Sequence, residues 1–229
     1  MLSEPALSLT DLALGLVTLL LAVRLRGVPG VHRFWKLTFW WAGFAALAGA
    51  FHHGVVTHSD RWAGPGWAVV STMVVVTVSY LLAASVEEVL GPGHGRVFWV
   101  LRSGGLIAYV VLALSGRAGV ETLLLCEALT MLCVLGLWAR AALERHPLAG
   151  PVILAIAASG AAAGVRALPD DVTGLVGLDP TSLYHLAQIP GMVLLFAAVS
   201  GMWRSQRDPP ALAAGRPTAQ EKAVGSRQG

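Results

Sequence analysis

Residues 66–89 read GWAVVSTMVVVTVSYLLAASVEEV, an apolar run that meets its first charged side chains only at Glu87 and Glu88. As a helix rising 1.5 Å per residue, a stretch of roughly 18 or more such residues crosses a hydrocarbon core of about 30 Å. Runs of this kind recur along the chain, so the protein is read as polytopic, with no separate soluble domain. Hydrophobic residues make up 55% of the 229 positions and charged ones 13%, about half the charge of an ordinary soluble domain.

The expected spans are 7–25, 34–56, 66–89, 97–115, 120–143, 150–168 and 183–203. Breakers separate them: Gly27 to Gly30, Gly64-Pro65-Gly66, Gly91-Pro92-Gly93, Gly116, Pro147, and Pro169 through Pro180. The first run lacks the basic n-region of a secretory signal and continues into Arg24 and Arg26, so it is expected to remain as a helix. Residues 1–203 form one transmembrane domain. The Pro-, Ala- and Gly-rich stretch 204–229 cannot bury a core and is expected to be a disordered tail.

The basic residues give direction. Thirteen of the sixteen fall on one side of the expected membrane, leaving only Arg61, Arg117 and Arg166 on the other. Lysine and arginine are retained on the cytoplasmic side, which puts the N-terminus outside and the C-terminus in the cytoplasm. The expectation is an all-α, seven-transmembrane helical bundle in the cell membrane, with membrane lipids as partners. The basic residues sit at span ends and in the tail rather than in an aromatic-interleaved patch, which argues against nucleic acid.

That direction sets the depth of each polar side chain. His52 and His53 lie near the outer end of span two, His185 opens span seven, and Asp11 lies about a turn into span one. Glu121 and Glu127 occupy the outer half of span five, and Arg166 closes span six. Ionisable groups at this depth are costly unless they face the bundle interior or a wet cavity, so a polar pocket open to the outside is expected, with Gln188 sharing the face of His185. A stripe of small residues (Gly43, Ala46, Gly49 or Ala50) leads to His53 and favours it over His52 as the inward ring. Pro190 cannot donate to the Leu186 carbonyl, so a bend is expected beneath the pocket.

Imidazole and carboxylate are suitable zinc ligands, which makes Asp11, His53 and His185 a candidate metal set, with His52 as substitute for His53 and Glu121 or Glu127 as proton carrier. The alternative is structural: His53 bonded to a neighbouring helix and Asp11 neutralising Arg166. Elsewhere, Glu87 and Glu88 are expected to pair with Arg102, and the tryptophans, Trp35, Trp62, Trp67 and Trp99 among them, to form an interfacial belt. Gly160 and Gly164 are expected at an internal helix contact. Cys126 and Cys133, seven residues apart on one helix, are too distant to bond to each other. The only lysines are Lys36 and Lys222, so span seven lacks the lysine a retinal protein needs.

The segments LTDLAL (9–14), AALAGAFHHG (45–54) and SLYHLAQIPGM (182–192) resemble an uncharacterised family of seven-span membrane proteins, itself similar to the alkaline ceramidases and the progestin and adiponectin receptors. In the ceramidase-like group a histidine ending span two and two opening span seven hold zinc, which activates water to hydrolyse a lipid amide. The resemblance implies that His53, or His52, and His185 stand at ligand positions. The chain departs from that pattern at Gly49 or Ala48, where the group has serine, and at Thr181, where it has a second histidine. Near the start of span three it offers only Asp60, beside Arg61. Two readings follow: a non-catalytic sensing or assembly protein, possessing an outward pocket for a lipid-like ligand, and a zinc-dependent, ceramidase-like hydrolase of a lipid amide or ester.

Overall fold

The computed structural model describes residues 3–115 and 120–201; the expected tail and Trp203 lie outside the described residues. The described chain is all helical, with seven long helices: α1 (Pro5–Arg26), α2 (Arg33–Gly54), α3 (Asp60–Leu90), α4 (Gly95–Leu114), α5 (Val120–Leu143), α6 (Ala149–Val165) and α8 (Pro180–Val199). A short α7 (Asp170–Thr173) and 3-10 turns at Val56–His58 and Gly174–Val176 complete it. Five of the long helices, α1, α3, α4, α5 and α8, are long and apolar enough to cross a membrane. The apolar α6 is shorter, and α2 lies outside this set because indoles and imidazoles replace aliphatic side chains along it.

Helices α1, α2, α3, α5, α6 and α8 pack in that order around a ring that closes through α1 against α8, while α4 lies outside it, mainly on α5. The inward stripe of α1 is Ser8, Asp11, Gly15, Thr18, Ala22 and Leu25, a spacing of three or four that keeps one face on its neighbours. Small residues set the distance to α2: a Cβ at Gly43 would lie 2.6 Å from a Leu19 methyl, and one at Gly15 would lie 2.8 Å from a Leu47 methyl. Close approach of this kind replaces the hydrophobic drive that lipid-immersed helices lack.

Several expectations need correction. Helix α3 starts at Asp60 and runs through Pro65, which was expected to be a breaker. The carbonyl that Pro65 leaves without an amide partner is that of Arg61, and Arg61, Trp62 and Gly64 are all exposed, so solvent can satisfy it. Helix α8 is continuous through Pro190, and the following Gly191 abuts Ser159 of α6. The α6–α8 contact therefore forms there; Gly160 and Gly164 are exposed, with nothing within 4 Å of a Cβ built on either. Trp35 is no belt residue but 1% exposed, its ring 6.3 Å from that of the fully buried Trp138. Buried indoles need an acceptor: Trp35 Nε1 donates to Glu88 Oε2 at 3.3 Å and Trp138 Nε1 to Ser85 Oγ at 3.0 Å.

Glu87 pairs with His32, so neither carboxylate that ends α3 meets Arg102. Arg102 begins about two turns into α4 and extends inward, where it is 1% exposed. Nε donates to Ser79 Oγ at 2.9 Å, Nη1 to Thr130 Oγ1 at 2.5 Å, and Nη2 to the Val75 carbonyl at 3.2 Å and Glu127 Oε1 at 3.5 Å. This places Glu127 between α3, α4 and α5 rather than in the expected pocket. Gly105 lets α5 come close enough for the pair, since a Cβ there would lie 2.8 Å from the Cys126 carbonyl oxygen and from Thr130 Oγ1. Both cysteines are free thiols.

Candidate functional site at the α1–α2–α8 rim

The N-terminal turns of α1 and α8 meet the C-terminal turn of α2 at one end of the ring. The segment before α1 is strapped to α2: Ser3 and Glu4 amides donate to the Gly54 and His53 carbonyls, both at 3.3 Å. Ser3 Oγ reaches the His53 carbonyl at 2.6 Å, and one turn on, Ser8 Oγ donates to the Ala50 carbonyl at 2.8 Å. These bonds hold α1 in register with α2 and bring Asp11 opposite Gly49. The absent side chain of Gly49 is what admits the carboxylate, because a Cβ there would lie 2.5 Å from Asp11 Oδ2.

Asp11 Oδ1 lies 3.2 Å from His185 Nδ1, with both side chains almost buried, at 8% and 13% exposed. Contact is made off the line a hydrogen bond requires, and among the described residues Nδ1 has no hydrogen-bond partner. A buried polar atom in that condition calls for a physical explanation. Besides Asp11, the ionisable groups of His53, Arg166 and Asp179 stand near enough to act on His185. The Tyr184 ring lies 5.3 Å from that of His185, tilted by 52°, and its hydroxyl accepts a hydrogen bond from Gln188 Nε2 at 2.5 Å.

His53 follows the structural alternative, bonded to the start of a neighbouring helix, while His52 rather than His53 turns into the core. His53 Nδ1 meets Glu4 Oε2 at 2.7 Å, near the strap. His52 is the more deeply buried, at 6% exposed, in the seam with α3. Its Nδ1 would be 2.7 Å from a Cβ at Gly66, its ring is 6.0 Å from that of Trp67, and its Nδ1 too lacks a hydrogen-bond partner among the described residues. The small-residue stripe therefore leads to the face toward α1, where Glu4 captures His53, and the adjacent ring is the one that enters the core.

Asp11 and His185 are thus brought together, with His53 and Gln188 nearby. Arg166 is exposed at the C-cap of α6, close enough to act on Tyr184 and His185, while Asp11 meets His185 instead of neutralising it. Glu127 is elsewhere, with Arg102. The Glu121 side chain lies outside the described residues. The sequence reading missed Glu4, Tyr184 and Asp179. Asp179 was legible, since Asp followed by Pro is a helix-start signal.

Asp179 positions His185 by capping α8: its Oδ1 accepts from the Thr181 and Ser182 amides, each at 2.9 Å, and Oδ2 from the Ser182 hydroxyl. Burial alone would raise its pKa, but these hydrogen bonds outweigh that and hold it below the ordinary 3.8. With a folded pKa below the unfolded one, the cap's contribution is present above about pH 4 and is lost as pH falls through the folded value. Asp179→Ala is expected to destabilise the chain by about 0.5–2 kcal/mol at pH 7. The difference from the parent should shrink in thermal unfolding curves recorded at increasingly acidic pH.

Among the described residues, no three His, Cys, Asp or Glu side chains come together as a metal site. A zinc centre needs three protein ligands as a rule, and here His53 is held by Glu4 while Asp11 and His185 meet as a pair. As placed, the three candidate ligands are not gathered into such a set among the described residues. Chemically it is an acid–imidazole contact at a rim bordered by Tyr184 and Arg166.

A model of a family of unknown function, DUF6962, matches residues 6–204, and the chain belongs to that family. No curated protein and no solved structure matches it.

Proposed function

We propose, for this member of a family without an assigned role, a seven-span protein of the cell membrane. Its N-terminus is outside, its tail is cytoplasmic, and its outward rim senses a small polar or lipid-like ligand without turning it over. Support for the direction comes from the thirteen basic residues on one side. Shorter apolar α6 and aromatic-rich α2 are taken as the remaining two spans. A single observation carries the functional reading: Asp11 and His185 in contact, nearly buried, with His185 Nδ1 lacking a hydrogen bond among the described residues. A ligand group able to both donate and accept would complete that pair, and Tyr184 and Arg166 offer further contacts beside it. The alternative is the zinc-dependent, ceramidase-like hydrolase of a lipid amide or ester implied by the resemblance.

Metal content and hydrolysis separate the two. Purified chain and its Asp11→Ala, His53→Ala and His185→Ala variants would be measured for zinc and for cleavage of a short-chain ceramide. The sensing reading expects no stoichiometric zinc and no cleavage in any of them. Zinc bound one to one and lost in His185→Ala, together with cleavage by the parent, would replace it with the hydrolase. Reporter fusions at each inter-helix turn test the direction, with those at 91–94 and at the C-terminus expected in the cytoplasm.

A further inference from the structure

At the end of the bundle opposite Asp11 and His185, α3 and α4 diverge. They are consecutive and joined by a turn in which Gly91 (φ 85°) and Gly93 (φ 93°) take left-handed conformations, yet they touch only sparsely, because α4 leans on α5. Between them lies a cavity of about 480 Å³, within the size range of small-molecule sites. Its walls are apolar and aromatic: Phe34, Val76, Tyr80, Ala83, Phe98 and Trp99. Trp99 is 64% exposed, so the cleft borders the lipid-facing side of α4.

The polar groups of the cleft make little demand on an occupant. The Ser79 hydroxyl donates to the Val75 carbonyl at 2.6 Å and accepts from Arg102 Nε at 2.9 Å. Glu87 is paired with His32, and His94 Nδ1 is 3.0 Å from the Gly91 carbonyl. Tyr80 offers a hydroxyl with no hydrogen-bond partner among the described residues. Two guanidinium groups flank the lining residues Phe34 and Gly95. The Arg33 guanidinium sits 4.8 Å over the ring of Phe34, a wall of the cleft, and Arg96 is exposed in the first turn of α4.

An apolar slot bordering lipid and flanked by guanidinium groups matches one class of amphiphile: an acyl chain joined to an anionic head. We infer that the α3–α4 cleft binds one anionic glycerophospholipid, with an acyl chain between Tyr80, Ala83 and Phe98 and its phosphate at Arg33 and Arg96. The inference shares with the functional proposal only the membrane setting, since no residue of the Asp11–His185 rim takes part.

Delipidated full-length protein would be titrated with phosphatidylglycerol and with phosphatidylcholine of the same chain length, and bound lipid counted by native mass spectrometry. One phosphatidylglycerol per chain is expected to bind in preference to phosphatidylcholine. Arg33→Gln, on the exposed rim, should weaken it about five-fold, the worth of one basic side chain near an anionic surface. Ala83→Trp should abolish it by filling the cleft, and Val76→Phe does the same from the other wall should Ala83→Trp fail to fold. Equal retention of both lipids, no saturable lipid, or phosphatidylglycerol binding unchanged in Arg33→Gln or in a folded cleft-filling variant would overturn the inference.

Discussion

Arg102→Ala is expected to destabilise the protein by about 3–5 kcal/mol, the cost of breaking a buried ion pair from one side. The guanidinium is the shared partner of Ser79, Thr130, the Val75 carbonyl and Glu127, which belong to both other helices of the α3–α4–α5 unit. Without it, Glu127 keeps a buried carboxylate whose Oε2 already lacks a hydrogen bond among the described residues. The double variant Arg102→Leu/Glu127→Leu should recover most of the loss, because well-packed apolar side chains can replace a buried pair at little net cost. Unfolding of the purified variants in a detergent–denaturant series gives the comparison. A double variant as unstable as Arg102→Ala would show that the hydrogen bonds to Ser79 and Thr130, rather than the uncompensated charge, hold α4 in place.

Gly49→Val should have the second largest effect, about 1–3 kcal/mol as an overpacked contact. The first added carbon would already lie 2.5 Å from Asp11 Oδ2, so either α1 moves away from α2 or the Asp11 side chain turns out of the rim. In both cases Asp11 leaves His185, and any response that depends on the pair is lost together with stability. Gly160→Ala is the matched control. Nothing stands within 4 Å of a Cβ there, so the change should be neutral or mildly stabilising through helix propensity. If Gly49→Val were as well tolerated as Gly160→Ala, the close approach of α1 to α2 at Asp11 would be wrong.

The contrast between those glycines marks where the sequence stops being informative. Long apolar runs make the helices legible, since few other structures satisfy the backbone in lipid. Which face of such a helix looks inward is much less legible, because lipid and core are equally apolar. Gly160 and Gly164 look as suited to a helix contact as Gly43 and Gly49 do, yet only the second pair is covered. Trp35 near a helix end reads like a lipid-interface indole until Glu88 and Trp138 are placed around it. The position of α4 outside the ring has no signature in its composition.

At the rim, shared depth was legible and partnership was not. Helical rise and alternating direction put Asp11, His53 and His185 at one level, and α1 does meet α8 there. The choice between His52 and His53 depended on Glu4, which precedes the first apolar run and reaches back through the strap to His53. Glu127 and Arg102 were misplaced for a related reason: a long side chain can act well away from the depth of its own Cα, and the partner is set by packing of α4 on α5 rather than by spacing along either helix.

The central claim is that the first and last long helices bring Asp11 and His185 into contact at one rim, and cross-linking tests it most directly. With Cys126 and Cys133 replaced by alanine, Asp11→Cys/His185→Cys would be treated in membranes with a short bifunctional thiol reagent, then digested and sequenced by mass spectrometry. A cross-linked peptide pair joining positions 11 and 185 within one chain is expected, and none from the control pair Asp11→Cys/Glu127→Cys. Failure of the 11–185 pair to link, while each single cysteine reacts with the same reagent, would contradict the contact and the rim site built on it.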